Sequence, residues 1–304
     1  MGVFKRKLNS LLVTFYINES VCRVHCFDIT CDPVELKHGA LIEYSSISDL
    51  QQKIMAFVNQ NHLQKNPCRW ILANDLYQTH NIDKPDVNDD EVMDALKWQV
   101  KDLIDIPVDS CLVSYYQPAH PENKNKQIVA VTVSKDLIEQ LIDICDKTSL
   151  LLENIDIEEL VIGHALLPYF NDQKIIGFVG ENDQGLVFNF YYNNELAFVR
   201  HKKDFFIPQE RVEEFVLEQE QEELSERFLL ETQRTLDYVV SQLFRRPIEL
   251  LLLQANEENA DKLLNLIKQL TDVPCQSVIP EYINNNSHSI AGFYELGCIC
   301  RGGK

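Results

Sequence analysis

Apolar runs and polar turns recur in the same order in two stretches of the chain. Each stretch begins with β-rich runs around a polar turn, at 10–29 and at 174–200. A helical stretch follows, and then a short apolar run, at 69–75 in the first half and at 248–254 in the second. A short apolar run bounded by turn signals is typical of a buried strand. The repeated order of hairpin, helix and strand predicts two related α/β lobes.

A further set of elements lies between these two stretches, at 87–150. Its pattern predicts a first helix, strands near 111–117 and 127–133, and a second helix at about 135–147. We interpret this segment as a small α+β module inserted between the lobes. In the second half, the spacing of leucine and isoleucine at 256–270 predicts another helix with one apolar face.

The first helix of the module combines an apolar stripe with marked ends. Asn88 and Glu91 match a capping box at its start. At its end, Pro107 forces Ile106 out of helical geometry. Trp98 lies on roughly the opposite side from the stripe, where the core under the helix cannot bury it. The stripe consists of Val92, Leu96, Val100 and Leu103.

Trp98 has two interpretations. It packs against a neighbouring strand of its own module, because most tryptophans are largely buried. Alternatively, it lines a groove that involves the inserted module and the first lobe and receives an extended peptide, because aromatic side chains are favoured interface anchors. In the second case, the rim of that groove would consist of Leu103, Ile104, Ile106 and Pro107.

The charge of the chain narrows the classes of partner. The 304 residues carry a net charge of −19, which repels phosphate backbones, so we expect no nucleic-acid partner. No run of 18 apolar residues occurs, so we expect no transmembrane segment. The densely acidic run at 212–226 is either a solvated helix face or a docking surface for a partner.

Nine cysteines and no recognisable signal peptide indicate reduced thiols in the cytosol. Cys22, His25, Cys26 and Cys31 would be the candidate zinc ligands, but the paired CxxC spacing of a structural zinc site is missing. Along a strand at 22–28, Cys22 and Cys26 share one face with Val24, and His25 points to the other. We therefore expect no metal.

Catalytic motifs are missing from the sequence. It contains no P-loop, no GxSxG and no HExxH. His164 is interpreted as a satisfied helix residue rather than a base. The basic run Arg200–Lys203 is interpreted as a solvated face, with docking to a membrane or an acidic partner as the alternative. These patterns favour binding over catalysis, and we expect the chain not to be an enzyme.

Four stretches carry a resemblance to a known family. They are GVFKRKLNSLLVTFYINESVCRV, EVMDALKWQVKDLIDIPVDS, FLLETQRTLDYV and FYELGCICRGG. In this order they resemble a basic leader with a phosphate hairpin, the helix of an inserted module, a helix with an Arg-x-Leu-x-Tyr pattern, and a closing segment. These are features of the PilM family of type IV pilus assembly proteins, and more closely of MshI proteins from mannose-sensitive haemagglutinin (MSHA) pilus systems. The likeness covers nearly the whole chain.

This resemblance implies an α/β, actin-like fold, in which two RNase H-like lobes flank a nucleotide cleft and carry an inserted module as in FtsA and PilM. It also implies a division of the chain. The expected parts are a first lobe at 1–86, the inserted module at 87–150, a return to the first lobe at 151–172, a second lobe at 173–280 with an acidic helical part at about 208–244, and a C-terminal return segment at 281–304.

The resemblance also implies a location and partners. PilM-like proteins lie on the cytoplasmic side of the inner membrane and bind the N-terminal cytoplasmic tail of a bitopic protein, PilN or its MSHA equivalent. The pilus motor ATPase is a further candidate partner. A type II secretion component of the GspL kind shares the fold and is the alternative; it would have a transmembrane helix after this domain, which the 304 residues do not contain.

The nucleotide site of the fold is expected to be degenerate. Phe15 and Phe178 stand where the resemblance places the two metal-organising aspartates, although Gly180 is retained. An aromatic ring has no oxygen with which to bind Mg²⁺. The adenosine loop, expected to be Gly-Gly, reads Gln254-Ala255-Asn256. We therefore expect no cofactor and a scaffold without ATPase activity.

One catalytic alternative remains open at this site. Glu19, Glu181 and Asp183 lie close by in the sequence and could hold Mg²⁺ from displaced positions, which would make the chain an actin-like ATPase. The competing interpretation is that they are ordinary polar turn residues.

Overall fold

The computed structural model describes residues 10–88, 90–104, 106–121, 127–171, 174–182, 184–203, 218–254, 257–278 and 292–300. In chain order, the strands are β1 (Leu11–Ile17), β2 (Val21–Asp28), β3 (Glu35–Glu43), β4 (Pro67–Leu72), β5 (Tyr77–Asp83), β6 (Cys111–Tyr116), β7 (Gln127–Ser134), β8 (Leu151–Ile157), β9 (Ile175–Asn182), β10 (Gly185–Tyr192), β11 (Glu195–Lys203), β12 (Leu250–Gln254) and β13 (Cys275–Val278). The α-helices are α1 (Ile47–Gln60), α2 (Val92–Val100), α3 (Lys135–Thr148), α4 (Glu158–Ala165), α5 (Glu218–Tyr238), α6 (Glu257–Leu270) and α7 (Gly292–Cys300).

Two five-stranded sheets have the same topology. Their orders are β3-β2-β1-β4-β8 and β11-β10-β9-β12-β13. In each sheet, three antiparallel strands are followed by two that run parallel to the first strand of the hairpin. The two related α/β lobes predicted from the repeated pattern are therefore confirmed.

The first hairpin closes at a polar turn, as predicted. The Asn18 side-chain oxygen accepts hydrogen bonds from the backbone N–H groups of Ser20 and Val21, at 3.0 and 2.7 Å. An Asn side chain that mimics a backbone turn in this way is a common hairpin device. The predicted alternation along β2 is also confirmed, because Cys22 and Cys26 are buried in the lobe core. All nine cysteines are free.

The core of the first lobe lies between its sheet and the helices α1 and α3. Phe15 and Trp70 are register partners on β1 and β4, and their rings stack at 4.3 Å. Leu50 of α1 and Ile144 of α3 are fully buried in the same cluster. Ser46 caps α1 by accepting the N–H of Asp49 at 3.2 Å. The predicted helix at 135–147 is confirmed as α3.

A separate three-stranded sheet, ordered β5-β7-β6, carries α2 on one face. The strands predicted near 111–117 and 127–133 are confirmed as β6 and β7. Strand β5 was not predicted, because most of its side chains are polar and only Tyr77 is buried. The division of the chain at 87 and 150 stays a prediction. Pairing of β5 with β7, and packing of α3 in the first lobe, favour a module of about 77–134.

Helix α2 has the predicted stripe but different ends. Val92, Leu96 and Val100 are fully buried, whereas Leu103 is exposed. The capping-box prediction is wrong: Glu91 precedes the helix, and its N–H donates to the carbonyl of Asn88 at 2.9 Å. The Asn88 side-chain amide donates to the Glu91 carboxylate at 3.2 Å. The helix ends at Val100, before the Ile-Pro pair.

The basic run at the end of β11 is not a solvated face, so that interpretation is wrong. Arg200 and Lys202 both contact the carboxylate of Glu231 on α5, at 2.9 and 3.2 Å. Arg200 also donates to the hydroxyl of Thr235 at 2.7 Å. Burial acts to raise the pKa of Glu231, but these cations outweigh it and lower the pKa. The run therefore attaches α5 to the edge strand β11.

Several expectations fall on residues outside the described ranges. They are most of the basic leader, the first part of the acidic run at 212–226, and the greater part of the C-terminal return segment at 281–304. In the part of the chain that is described, no helix combines the length and the apolar character needed to cross a membrane.

Candidate functional site

A groove of about 630 Å³ lies between the three-stranded sheet and the first lobe. One wall is β6 and the other is β8, and each is the edge strand of its own sheet. An edge strand presents backbone N–H and C=O groups that no neighbouring strand pairs. The groove therefore combines two such edges with an apolar floor. Its lining consists of Leu72, Tyr77, Leu112, Val113, Ser114, Tyr115, Tyr116, Val131, Val133, Ile138, Asn154, Ile155, Asp156, Ile157 and Leu160.

Few of the side chains in this groove carry charge. Asp156 is almost fully buried and accepts hydrogen bonds from the Asn154 amide and the Ile157 N–H, both at 3.1 Å. The remaining polar groups are hydroxyls and amides. A surface of this kind recognises a peptide through its main chain and through small apolar side chains rather than through ion pairs.

The partner-binding residues predicted from the sequence lie outside the lining of this groove. Trp98 is 74% exposed, so the interpretation that buries it against a strand is wrong. Lys101 places its Nζ 5.5 Å from the centre of the Trp98 ring. Leu103, Ile106 and Pro107 are exposed and Ile104 is half-buried, yet none of them lines the groove.

In the first lobe, the predicted nucleotide position faces away from the second lobe. Phe15 is fully buried in the lobe core against Trp70. Because side chains alternate along a strand, it is Tyr16 that reaches the cluster between the lobes. At the hairpin tip, the backbone N–H of Glu19 donates to the Asp75 carboxylate at 3.1 Å.

In the second lobe, the corresponding space is occupied by protein side chains. Phe178 is buried between the lobes, with its ring 5.8 Å from that of Phe293. Gln254 places its side-chain oxygen over Gly180, where a Cβ would collide with it, and accepts the N–H of Glu181 at 3.1 Å. The other predicted residues here lie outside the described ranges: Asp183, Ala255 and Asn256.

Two consecutive carboxylates at the start of α4 lie between the lobes. Glu158 is fully buried and accepts hydrogen bonds from the Tyr16 hydroxyl at 3.0 Å and the Asn182 amide at 2.9 Å. Burial, and then the charge of Glu159, raise the pKa of Glu158 to about 8. One carboxylate thus joins β1 of the first lobe to β9 of the second.

The second carboxylate continues this connection. Glu159 accepts a hydrogen bond from the Tyr77 hydroxyl and contacts the ring Nε2 of His201 at 3.1 Å. The other ring nitrogen of His201 lies 2.9 Å from the Asn74 side chain. Burial acts to lower the pKa of His201, but Glu159 and then Glu158 outweigh it, so that the pKa is raised. We call these seven residues the interlobe network: Tyr16, Asn74, Tyr77, Glu158, Glu159, Asn182 and His201.

Sequence reasoning missed the interlobe network for a definable reason. Acidic residues in the first turn of a helix usually need no explanation beyond the helix dipole. His201 belonged to a basic run that was interpreted as solvated. The sequence did contain one signal of buried carboxylates: Glu158 and Glu159 are consecutive and lie between apolar segments. Among the described residues, no group of three or more His, Cys, Asp or Glu side chains could hold a metal ion.

Helix α7 closes the interface between the lobes. Glu295 is fully buried and contacts Arg23 at 3.3 Å and His25 at 3.4 Å. Burial acts to raise the pKa of Glu295, but Arg23 and His25 outweigh it and lower the pKa. Gly297 lies directly against the backbone of Val161 on α4.

No protein-family model matches the chain, and no curated protein matches its sequence. Solved structures do match. The PilM–PilN type IV pilus biogenesis complex aligns with a TM-score of 0.63 and 14% identity, over 96% of each chain. The cytoplasmic domain of EpsL, an inner membrane component of the type II secretion system of Vibrio cholerae, aligns with a TM-score of 0.52 and 10% identity, over 97% of this chain and 96% of that one.

A third structure, from Bacteroides thetaiotaomicron, is a protein of unknown function with an actin-like ATPase fold. It aligns with a TM-score of 0.53 and 11% identity, over 98% of this chain and all of that one. At sequence identities this low, the alignments show a likeness of fold. Together with the two lobes of equal topology, it shows that this chain has the actin-like fold.

Proposed function

We propose that this chain is a PilM-like scaffold of type IV pilus biogenesis that binds the N-terminal cytoplasmic tail of a PilN-like, bitopic inner-membrane protein. The observation that carries the proposal is the groove between β6 and β8, each of which is the edge strand of its sheet in the described part of the chain. The structural likeness to the PilM–PilN complex supports it. The finer assignment to an MSHA system rests on the four sequence stretches that resemble MshI.

The dimensions of the groove fit an extended peptide. Strands β6 and β8 have six and seven residues, and a six-residue strand is about 20 Å long. A tail of that length could pair with either edge through main-chain hydrogen bonds. Its alternate side chains would then enter the apolar floor. In this proposal the chain is cytoplasmic and peripheral at the inner membrane, and the motor ATPase remains a candidate partner.

A substitution at the groove mouth tests this binding. Leu112→Asp places a charge where the tail should pack, and we expect the amount of bitopic protein that co-purifies from solubilised membranes to fall about tenfold. Leu112 is 41% exposed, so the fold should tolerate the change.

The matched control is Leu41→Asp. Leu41 is 65% exposed on β3, at the opposite edge of the first-lobe sheet. It should leave co-purification unchanged. Equal recovery with both variants, or no bitopic inner-membrane protein with the unsubstituted chain, would refute the proposed function.

We further propose that the scaffold does not hydrolyse ATP. The interlobe network fills space between the two lobes with hydrogen-bonded side chains, and the resemblance expects the nucleotide in a cleft between those lobes. Gln254 and Phe178 occupy further space in the second lobe. These contacts support a cleft closed by side chains of the protein itself.

Thermal unfolding with and without Mg-ATP tests this second proposal. A ligand at 100 times its dissociation constant stabilises a protein by about 2.7 kcal/mol, and we expect no such shift. A clear shift that disappears in a Glu19→Gln variant would instead support the ATPase with displaced acidic residues.

A type II secretion component of the GspL kind is the second candidate. The observation in its favour is the alignment of EpsL over nearly the whole of both chains. The proteins recovered by co-purification distinguish the two, because a pilus scaffold and a type II secretion component belong to different assemblies.

A further inference from the structure

Helix α2 and the turn after it expose four large apolar side chains outside the groove. The exposed fractions are 36% for Met93, 74% for Trp98, 50% for Leu103 and 46% for Ile106. Met93 lies about 140° around α2 from Trp98, so it faces a different direction. We call the other three residues the Trp98 surface, because large apolar side chains exposed close together indicate an interaction surface.

Acidic residues surround the Trp98 surface. Residues 83–109 contain nine Asp or Glu and three Lys, which gives this segment a net charge of −6. One of the lysines, Lys97, is paired with Asp94 at 2.9 Å. Such a combination of apolar and acidic groups complements a ligand that is both apolar and basic. The exposed acidic side chains are Asp83, Asp86, Asp90, Glu91, Asp94, Asp102 and Asp109.

Trp98 is well suited to hold a cation from a partner. Lys101 already places its ammonium 5.5 Å from the centre of the indole ring, and both side chains are largely exposed. Arginine stacks on a tryptophan face better than lysine does, because its guanidinium is planar and weakly hydrated. An arginine of the partner could therefore replace Lys101 on the ring.

The Trp98 surface lies within reach of the groove. Ile106 belongs to the surface and Leu112 lines the groove. Five residues lie between them, so their Cα atoms are at most about 20 Å apart. An extended peptide covers that distance with about six residues. One continuous tail could therefore occupy the groove and then cross the Trp98 surface.

The chemistry of a membrane protein's tail fits this surface. Cytoplasmic segments next to a transmembrane helix are rich in Lys and Arg. The cytoplasmic face of the membrane itself is anionic and would be repelled by a segment of net charge −6. We infer that the Trp98 surface binds the Lys/Arg-rich part of the tail that lies between its groove-bound residues and its transmembrane helix. This inference rests on the proposed function.

Site-specific photo-crosslinking in the full chain tests the inference, and it works even when the sequence of the tail is unknown. A benzoylphenylalanine at Gln99, which is exposed beside Trp98, reports on the surface, and one at Ser114 reports on the groove. We expect both probes to cross-link the same bitopic protein in intact cells. Mass spectrometry should place the Ser114 product near the end of the tail and the Gln99 product in its basic part.

The outcomes separate the inference from the proposed function. A Ser114 product without a Gln99 product overturns the inference alone, and so does a Gln99 product with lipid, with a second copy of this chain or with another protein. The absence of any bitopic protein from both products overturns the proposed function as well.

A charge-neutralised variant gives the quantitative test. Replacing Asp86, Asp90, Asp102 and Asp109 with Asn should lower the yield of the Gln99 product at least fivefold, and that of the Ser114 product less than twofold. The matched control neutralises four exposed acidic residues elsewhere, by E43Q, E226Q, D237N and D261N, and should change neither yield. Equal effects of the two variants would overturn the inference.

Discussion

Replacing Gly297 with alanine should lower the free energy of unfolding by about 3 kcal/mol, the upper part of the range for overpacked cores. A Cβ at this position would collide with the backbone carbonyl of Val161, whose carbon would be 2.7 Å away. Backbone cannot rotate aside as a side chain can, so α7 would have to move off α4. That movement would also pull Glu295 away from Arg23 and His25.

The matched control for this prediction is Gly163→Ala. Gly163 is also helical, on α4, so both substitutions carry the same gain in helix propensity, about 1 kcal/mol. Its added Cβ would meet the ring of Tyr191 at 2.8 Å, which is a side chain. Urea denaturation should show a smaller loss of stability for Gly163→Ala than for Gly297→Ala, because a ring can shift more easily than backbone. Equal stabilities of the two variants would contradict the argument.

The second large effect is a dependence of stability on pH that originates in Glu158. Burial and the neighbouring Glu159 raise its pKa in the folded state from the ordinary 4.5 to about 8. Because the folded-state value is the higher one, its stabilising contribution is complete below about pH 4.5 and is lost as the pH rises through 8. We expect the free energy of unfolding to fall by about 2 kcal/mol between pH 6 and pH 8.

His201 acts in the same direction. Its pKa is also raised in the folded state, so its contribution is present below its ordinary value of 6.5 and is lost as the pH rises through the folded value. In a Glu158→Gln variant, the decline between pH 6 and pH 8 should be much smaller. Glu43→Gln, on the exposed edge strand β3, should retain it. A decline of equal size in both variants would show that Glu158 is not its source.

The pH prediction depends on the interlobe network, which connects the two lobes. Two adjacent carboxylates are buried between lobes and receive hydrogen bonds from both sides. Breaking such a connection leaves a buried charge without its partner, which is strongly destabilising. The same groups lie between the two lobes. In the proposed scaffold they hold the lobes together in the place of a nucleotide.

Local pattern was sufficient for most elements of the fold. Apolar runs and turn residues predicted both hairpins, the strands β6 and β7, and the helices α3 and α6. Strand β5 was not predicted, because only one of its side chains is buried and its sequence shows no alternation of apolar and polar residues. The capping prediction for α2 failed, because Asn88 and Glu91 pair within a turn before the helix rather than across its first turn.

The candidate site was harder to predict. The sequence placed a binding groove between the module and the first lobe, and a groove lies there. Most of its lining comes from β6, β7 and β8, and none of it from the residues around Trp98. Exposure of Trp98 could be predicted from its position opposite the apolar stripe. Which of two exposed surfaces forms a groove depends on how the sheets approach each other, and residues distant in the chain decide that.

By itself, the sequence determined most of the elements and their repeated order, because these depend on residues that are neighbours in the chain. It also determined the acidic charge, which depends on composition alone. Only the tertiary structure decided that Tyr16 rather than Phe15 faces the second lobe, that Glu158 and Glu159 are buried between the lobes, and that β6 and β8 face each other as edges. The reason is that burial and pairing are properties of the space between elements. Residues that are far apart in the chain determine that space together; Tyr16 and Glu158, for example, are separated by 142 positions.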